Sequence, residues 1–152
     1  MGAAVQVDVD AAGLVERFRV RFEKRLPEAR KQLTRELARD VLHTTIHFNP
    51  VATARSRASW VASLTKLGWA PPPGWQGWQA RIQAIREGRR QSDFTLTHNK
   101  DATTIEATSD VDYVTYLEYG TRHMAPFAMI RRSFRHTAQV IGHNIRLAER
   151  LK

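Results

Sequence analysis

The chain contains no cysteine among its 152 residues. Disulfides and thiolate metal sites are therefore excluded, and stability has to come from a packed core. It also lacks an apolar run near the roughly 20 residues that cross a bilayer. Its first ten residues, MGAAVQVDVD, have neither the basic start nor the apolar centre of a signal peptide. Gly2 follows Met1, but the rest of that segment matches an acylation site poorly. No glycine-rich phosphate loop is present, because the glycines near Trp75 lack the lysine and helix context such a loop needs. These absences lead us to expect a protein made and used in a cytoplasm, or in a particle assembled there.

The residues that are present describe an ordinary globular chain. Hydrophobic content is 42% and charged content 26%, on a length that suits one domain with a real core. Net charge is +9, which favours an anionic partner, nucleic acid first. The charge is unevenly spread. Residues 122–152 carry about +6, with Glu149 as their one acid. Residues 91–121 carry about −5, with Lys100 as their one cation. Such halves could attract each other between copies as readily as either could attract DNA.

Apolar positions recur every three or four residues from Ala11 to about His47, through Leu14, Phe18, Phe22, Leu26, Ala29, Leu33, Leu37, Val41 and Thr45. That spacing predicts a long amphipathic helix. Pro27 should kink it or start a second helix, and Asn49-Pro50 should end it. Residues 1–10 read as an extended acidic arm. In Arg57–Leu67, Trp60, Ala62 and Leu64 alternate with Ser59, Val61, Ser63 and Thr65, which favours a strand with one buried face. A loop, WAPPPGWQGW, follows, then helical spacing over Gln79–Gly88 with Gly88 as its stop. Ser92–Thr97 and Ala102–Ser109 alternate at period two and predict a β-hairpin. Asp112–Tyr119 reads as a short helix. Pro126 to about Leu151 reads as a longer one, with Phe127, Ile130, Phe134, Ala138, Ile141, Ile145 and Ala148 on one stripe.

Little here resembles catalysis. Glu118 sits alone in an aromatic turn with no paired carboxylate or nucleophile signalled, so a salt bridge, to Arg122 or to another subunit's arginine, is the favoured role. His43 and His47 have helix-ligand spacing but no intervening Glu and no clear third ligand. His136 and His143 lie two turns apart. We expect no metal and no cofactor. Trp69, Trp75 and Trp78 stand beside Arg81, Arg86, Arg89 and Arg90. Tryptophan and arginine dominate protein interfaces and also grip nucleic acid, and the protein interface is the favoured reading.

Two stretches resemble a known family. Asn49–Trp60 (NPVATARSRASW) is similar to a "TPVDTGRLRxSW" pattern that follows a long N-terminal helix. Leu117–Thr121 (LEYGT), followed by Ala125-Pro126-Phe127, is similar to an "EYGT…xAPxGM/PFL" signature that precedes a C-terminal helix. The family comprises the head–tail joining and tail-completion proteins of long-tailed bacteriophages, the minor tail protein Z-like group. The two stretches occur in the family's order and span about half the chain. Ala52 and Ala54 depart from the pattern's Asp and Gly, which implies a less sharp turn into the strand.

The resemblance implies a virion structural protein without enzymatic activity. It implies a ring of copies of itself, sixfold, at the neck between the portal-side connector and the tail tube or tail terminator. DNA would pass through with only sequence-independent contact, and no membrane would be involved. The expected fold is α+β, with a long N-terminal helix and a C-terminal helix packed on a small antiparallel sheet that includes the hairpin. Residues 11–152 would form a single domain, with 69–90 as an insertion. Glu118, Tyr119, Gly120, Thr121, Pro126 and Phe127 would form a structural corner. Trp60, Trp75, Trp78, Arg131, Arg132 and Arg135 would face partners, and Arg86, Arg89 and Arg90 the lumen or DNA. The alternative from another class is a free, basic nucleic-acid-binding protein.

Overall fold

Pro27 does not divide the first helix: α1 runs unbroken from Ala11 to Phe48 in the computed structural model, which describes residues 11–50 and 54–150. The acidic arm expected at 1–10 lies outside the described residues. At 1.5 Å per residue, α1 is about 57 Å long. Then follow α2 (Arg55–Lys66), α3 (Ile82–Arg90), β1 (Ser92–His98), β2 (Thr103–Ser109), α4 (Val114–Tyr119) and α5 (Met129–Arg150). The class is α+β, with long helices at both ends and one antiparallel hairpin.

The segment read as a strand, Arg57–Leu67, is instead the central helix. In α2, Ser56, Ala58, Ser59, Trp60, Val61, Ser63 and Leu64 are all buried, so no face is left polar to set a period. Alternation of large and small side chains imitated a strand, whereas a helix buried nearly all round shows neither period cleanly. Two serines seat the hairpin on it. Ser59 Oγ lies 2.7 Å from Ser109 Oγ, and Ser63 Oγ lies 2.9 Å from Ser92 Oγ. Ser92 and Ser109 are cross-strand partners. One helical turn of about 5.4 Å thus matches one inter-strand spacing of about 4.8 Å, and α2 crosses beneath the strand ends.

The turn into α2 keeps the left-handed geometry that the missing glycine had called into question. Ala54 adopts φ 65, ψ 5 and is buried. At the other end of the hairpin, the Arg30 guanidinium of α1 donates to the carbonyls of Asn99 and Lys100, each at 2.9 Å. The Asn99 carboxamide accepts from the N–H groups of Asp101 and Ala102, closing the tip.

Gly88 is not a helix stop. It lies inside α3, fully buried, where a Cβ would stand 2.0 Å from the Arg55 carbonyl oxygen. Its lack of a side chain lets α3 press onto the start of α2. Pro126 does not begin the last helix either, since α5 starts at Met129 after Ala128 at φ 49.

The two long helices meet through small and polar residues. Met129, Ser133 and Thr137 of α5 are buried, and Ser133 Oγ takes a 3.0 Å hydrogen bond from Thr45 of α1. The core is formed by Leu42 and Ile46 of α1, Ala58, Trp60, Val61 and Leu64 of α2, then Leu67, Trp75, Val111, Val114 and Met129. The apolar stripes counted in the sequence have a different fate. Leu26 and Leu33 of α1 and Phe134 of α5 are exposed, at 49%, 57% and 61%.

Candidate functional site

The stretch Glu118–Arg131 closes on itself. Glu118 is buried near the end of α4, and its carboxylate accepts the first free N–H groups of α5. Oε2 takes Ile130 N–H at 2.8 Å, and Oε1 takes Arg131 N–H at 3.1 Å. A carboxylate at a helix N-terminus satisfies groups that the helix itself cannot and complements its dipole. Arg131 completes the lock, donating from Nε to Oε1 at 2.9 Å and from Nη2 to the Glu118 carbonyl at 2.6 Å. Its guanidinium also stacks over Tyr119, 5.0 Å from the ring centroid. The partner of Glu118 is therefore Arg131 of the same chain, rather than Arg122 or a neighbour's arginine.

Gly120 makes the corner possible. Its backbone sits at φ 79, ψ −177, a region essentially reserved for glycine, and a Cβ there would lie 2.6 Å from the Met124 carbonyl oxygen. Thr121 and Met124 exchange backbone hydrogen bonds across a tight turn. Pro126 abuts Gly120, and the N–H groups of Phe127 and Ala128 return to the Leu117 carbonyl. Phe127 is attached through its backbone while the residue is 38% exposed, so Met129 and the Glu118 cap hold the last helix instead.

The first motif stretch is tied down as firmly. Arg57 donates to the Asn49 carbonyl at 2.7 Å and to the Trp75 carbonyl at 3.0 Å, fastening the end of α1 and the tryptophan loop to α2. Burial pushes its guanidinium below the ordinary arginine pKa. Tyr113 accepts the Ser56 N–H at 3.2 Å.

The expected partner-facing residues divide. Trp60 and Trp75 are core residues, 5% and 7% exposed, so Trp75 is corrected from interface to interior, while Trp60, equally buried, reaches the surface only as lining of a groove between α1, β2 and α5. Both large rings fill space between elements of their own chain. Trp78 is 91% exposed, next to Ile82 at 72% and the exposed Arg81 and Arg86. Arg89 and Arg90 are exposed at the end of α3. Of the arginines assigned to a partner on α5, Arg131 is held by Glu118, and Arg132 stacks 4.0 Å over Phe48. Arg135 alone of these three has no partner among the described residues. The acidic and basic segments thus cancel partly within one chain. His43, His47 and His136 are exposed, and the side chain of His143 lies outside the described residues. Among the described residues no three metal-ligating groups converge, and no helix is long and apolar enough to cross a membrane.

A second feature had no signal of its own in the sequence. An open groove of about 620 Å³ runs between α1, β2 and α5. Leu37 and Val41 line it from α1, Ile130, Phe134, Ala138 and Ile141 from α5, and Ile105 to Thr108 from β2. These helical residues are the very stripes that periodicity marked as core faces. Trp60 and Thr137 also line it, and each carries a buried side-chain polar atom without a partner, Nε1 and Oγ1.

No protein-family model, curated protein or solved structure matches this chain.

Proposed function

We propose that this chain is a structural subunit of a long-tailed phage neck, forming a sixfold ring that completes the tail and joins it to the head. The observation that carries the reading is the ordered pair of stretches, Asn49–Trp60 and Leu117–Phe127, each resembling its counterpart in the tail-completion family. The geometry is compatible with a rigid building block. Both stretches are places where backbone and buried polar groups lock elements of the subunit together, a structural use rather than a catalytic one. A ring needs a head-to-tail contact that closes, and exposed apolar and charged surfaces are the material for one. The partners would be further copies of the chain, the portal-side connector, and the tail tube or tail terminator, within a virion assembled in the host cytoplasm.

Negative-stain imaging with mass determination tests this, on the protein alone and mixed with tails or DNA-filled heads. Rings, or a collar on the tail end or head vertex, are the expected result; a monomer that ignores both particles overturns it.

One observation favours a second reading. Trp78 is almost fully exposed, and Arg81 and Arg86, which follow it closely in the chain, are exposed too; an exposed aromatic and exposed arginines can stack a base and hold phosphates. A free nucleic-acid-binding protein would hold duplex or single strands tightly at low salt and lose them steeply as salt rises. Weak binding at every salt concentration excludes it.

A further inference from the structure

The groove is bounded on one side by a strand edge, which narrows what can fill it. Strand β2 pairs only with β1 among the described residues. Asn99 N–H bonds the Ala102 carbonyl and Asp110 N–H bonds the Gln91 carbonyl, at the two ends of the ladder. Antiparallel pairs alternate between bonded and non-bonded, so the bonded pairs are 93/108, 95/106 and 97/104. Ile105 and Ala107 therefore aim their N–H and C=O groups away from β1, on the edge that lines the groove. An unpaired edge beside apolar walls is built to receive an extended peptide whose alternate side chains enter the groove.

A segment of that pattern exists in this chain. Val5, Val7 and Val9 alternate with Gln6, Asp8 and Asp10, with β-branched residues on one face and polar ones on the other. On the β2 edge, the valines would meet the stripes of α1 and α5. The polar residues would continue the exposed face of Thr104, Glu106 and Thr108.

Reach decides whose groove is filled. Val5 precedes the start of α1 by six residues, a span of at most about 22 Å when fully extended. Thr34, the groove residue nearest the start of α1, lies about 35 Å along the helix from Ala11. The arm falls short of its own groove.

We propose that residues 4–9 of one copy add as a third strand to the β2 edge of a second copy, seated between that copy's α1 and α5. The contact is head-to-tail, so it propagates from copy to copy until it closes. It deepens the ring reading by naming the contact, and it can be tested without a virion.

The absence of cysteine makes the test clean. Val5→Cys, Val7→Cys and Val9→Cys proteins are each mixed at high concentration with the full-length Ala107→Cys protein and oxidised, with Thr97→Cys on the outer hairpin face as control. Disulfide-linked heterodimers should form at least tenfold more with Ala107→Cys than with the control. Replacing the remaining two valines of the arm by lysine should abolish that excess while leaving the melting temperature unchanged. Heterodimer yields equal to the control overturn the proposal, as does a double variant, Val7→Cys with Ala107→Cys, that links only within single chains. Imaging the same proteins with tails separates the two ideas. Collars without the cross-link remove strand donation alone, and cross-links without collars remove the neck assignment and leave strand donation standing.

Discussion

Two regions that share helix α5 are finished to different degrees. At its start, the Glu118 corner is matched within one chain, with both carboxylate oxygens, the Ile130 and Arg131 N–H groups and the Arg131 guanidinium all bonded. From Ile130 onward the same helix turns Ile130, Phe134, Ala138 and Ile141 into an open groove beside a strand edge that is unpaired among the described residues. A polar site satisfied internally contributes stability to the subunit. An apolar face patterned for burial but left open among the described residues is the place where the proposed strand donation would act.

The largest effect should come from the corner. Glu118→Ala strands two N–H groups and Arg131, and should lower stability by about 3 kcal/mol. Glu118→Gln keeps an acceptor and should cost about half as much. Thermal or urea unfolding reads both, and an Ala variant that melts like the parent would break the comparison at its firm end. Gly120→Val comes next, at about 2–3 kcal/mol, from a backbone conformation closed to valine and a contact with the Met124 carbonyl.

Ala54 sharpens the contrast with the opposite sign. It already tolerates φ 65, so Ala54→Gly should relieve left-handed strain and raise stability by about 0.5 kcal/mol after the entropy of glycine is set against it. The groove should give the smallest change in folding. Phe134→Ser, at a residue 61% exposed, should shift stability by less than about 0.5 kcal/mol. It should nonetheless weaken self-association measured by sedimentation. A large loss of stability there, with association unchanged, would mean that the groove is part of the subunit's own core.

Much of the fold was legible because local patterns agree with it. Period two marked the hairpin, the 3.6-residue period marked α1 and α5, and Gly120 announced a corner. The misreadings share a cause. Residues 57–67 imitate a strand because α2 is buried on nearly all sides and has no polar face to reveal its period. Gly88 imitates a stop because close packing of α3 on α2 and a helix terminus both call for glycine. Trp75 resembles an interface residue in the sequence because composition does not distinguish a ring in the core from one on the surface. The pairing of Glu118 with Arg131 crosses 13 positions and a turn, beyond the reach of helix-spacing rules.

Residue order alone carries the long helices α1 and α5 and the hairpin, a glycine-dependent corner between α4 and α5, and a face meant for burial on each of the long helices, but not the helical state of α2. These are local or periodic properties, encoded by neighbours within a turn or two. Long-range packing is what brings α5 onto α1 through Ser133 and Thr45, turning parts of both apolar stripes aside into one groove against the β2 edge. That choice depends on which surfaces pack most closely across long separations in the chain, and periodicity carries no information about distance in space.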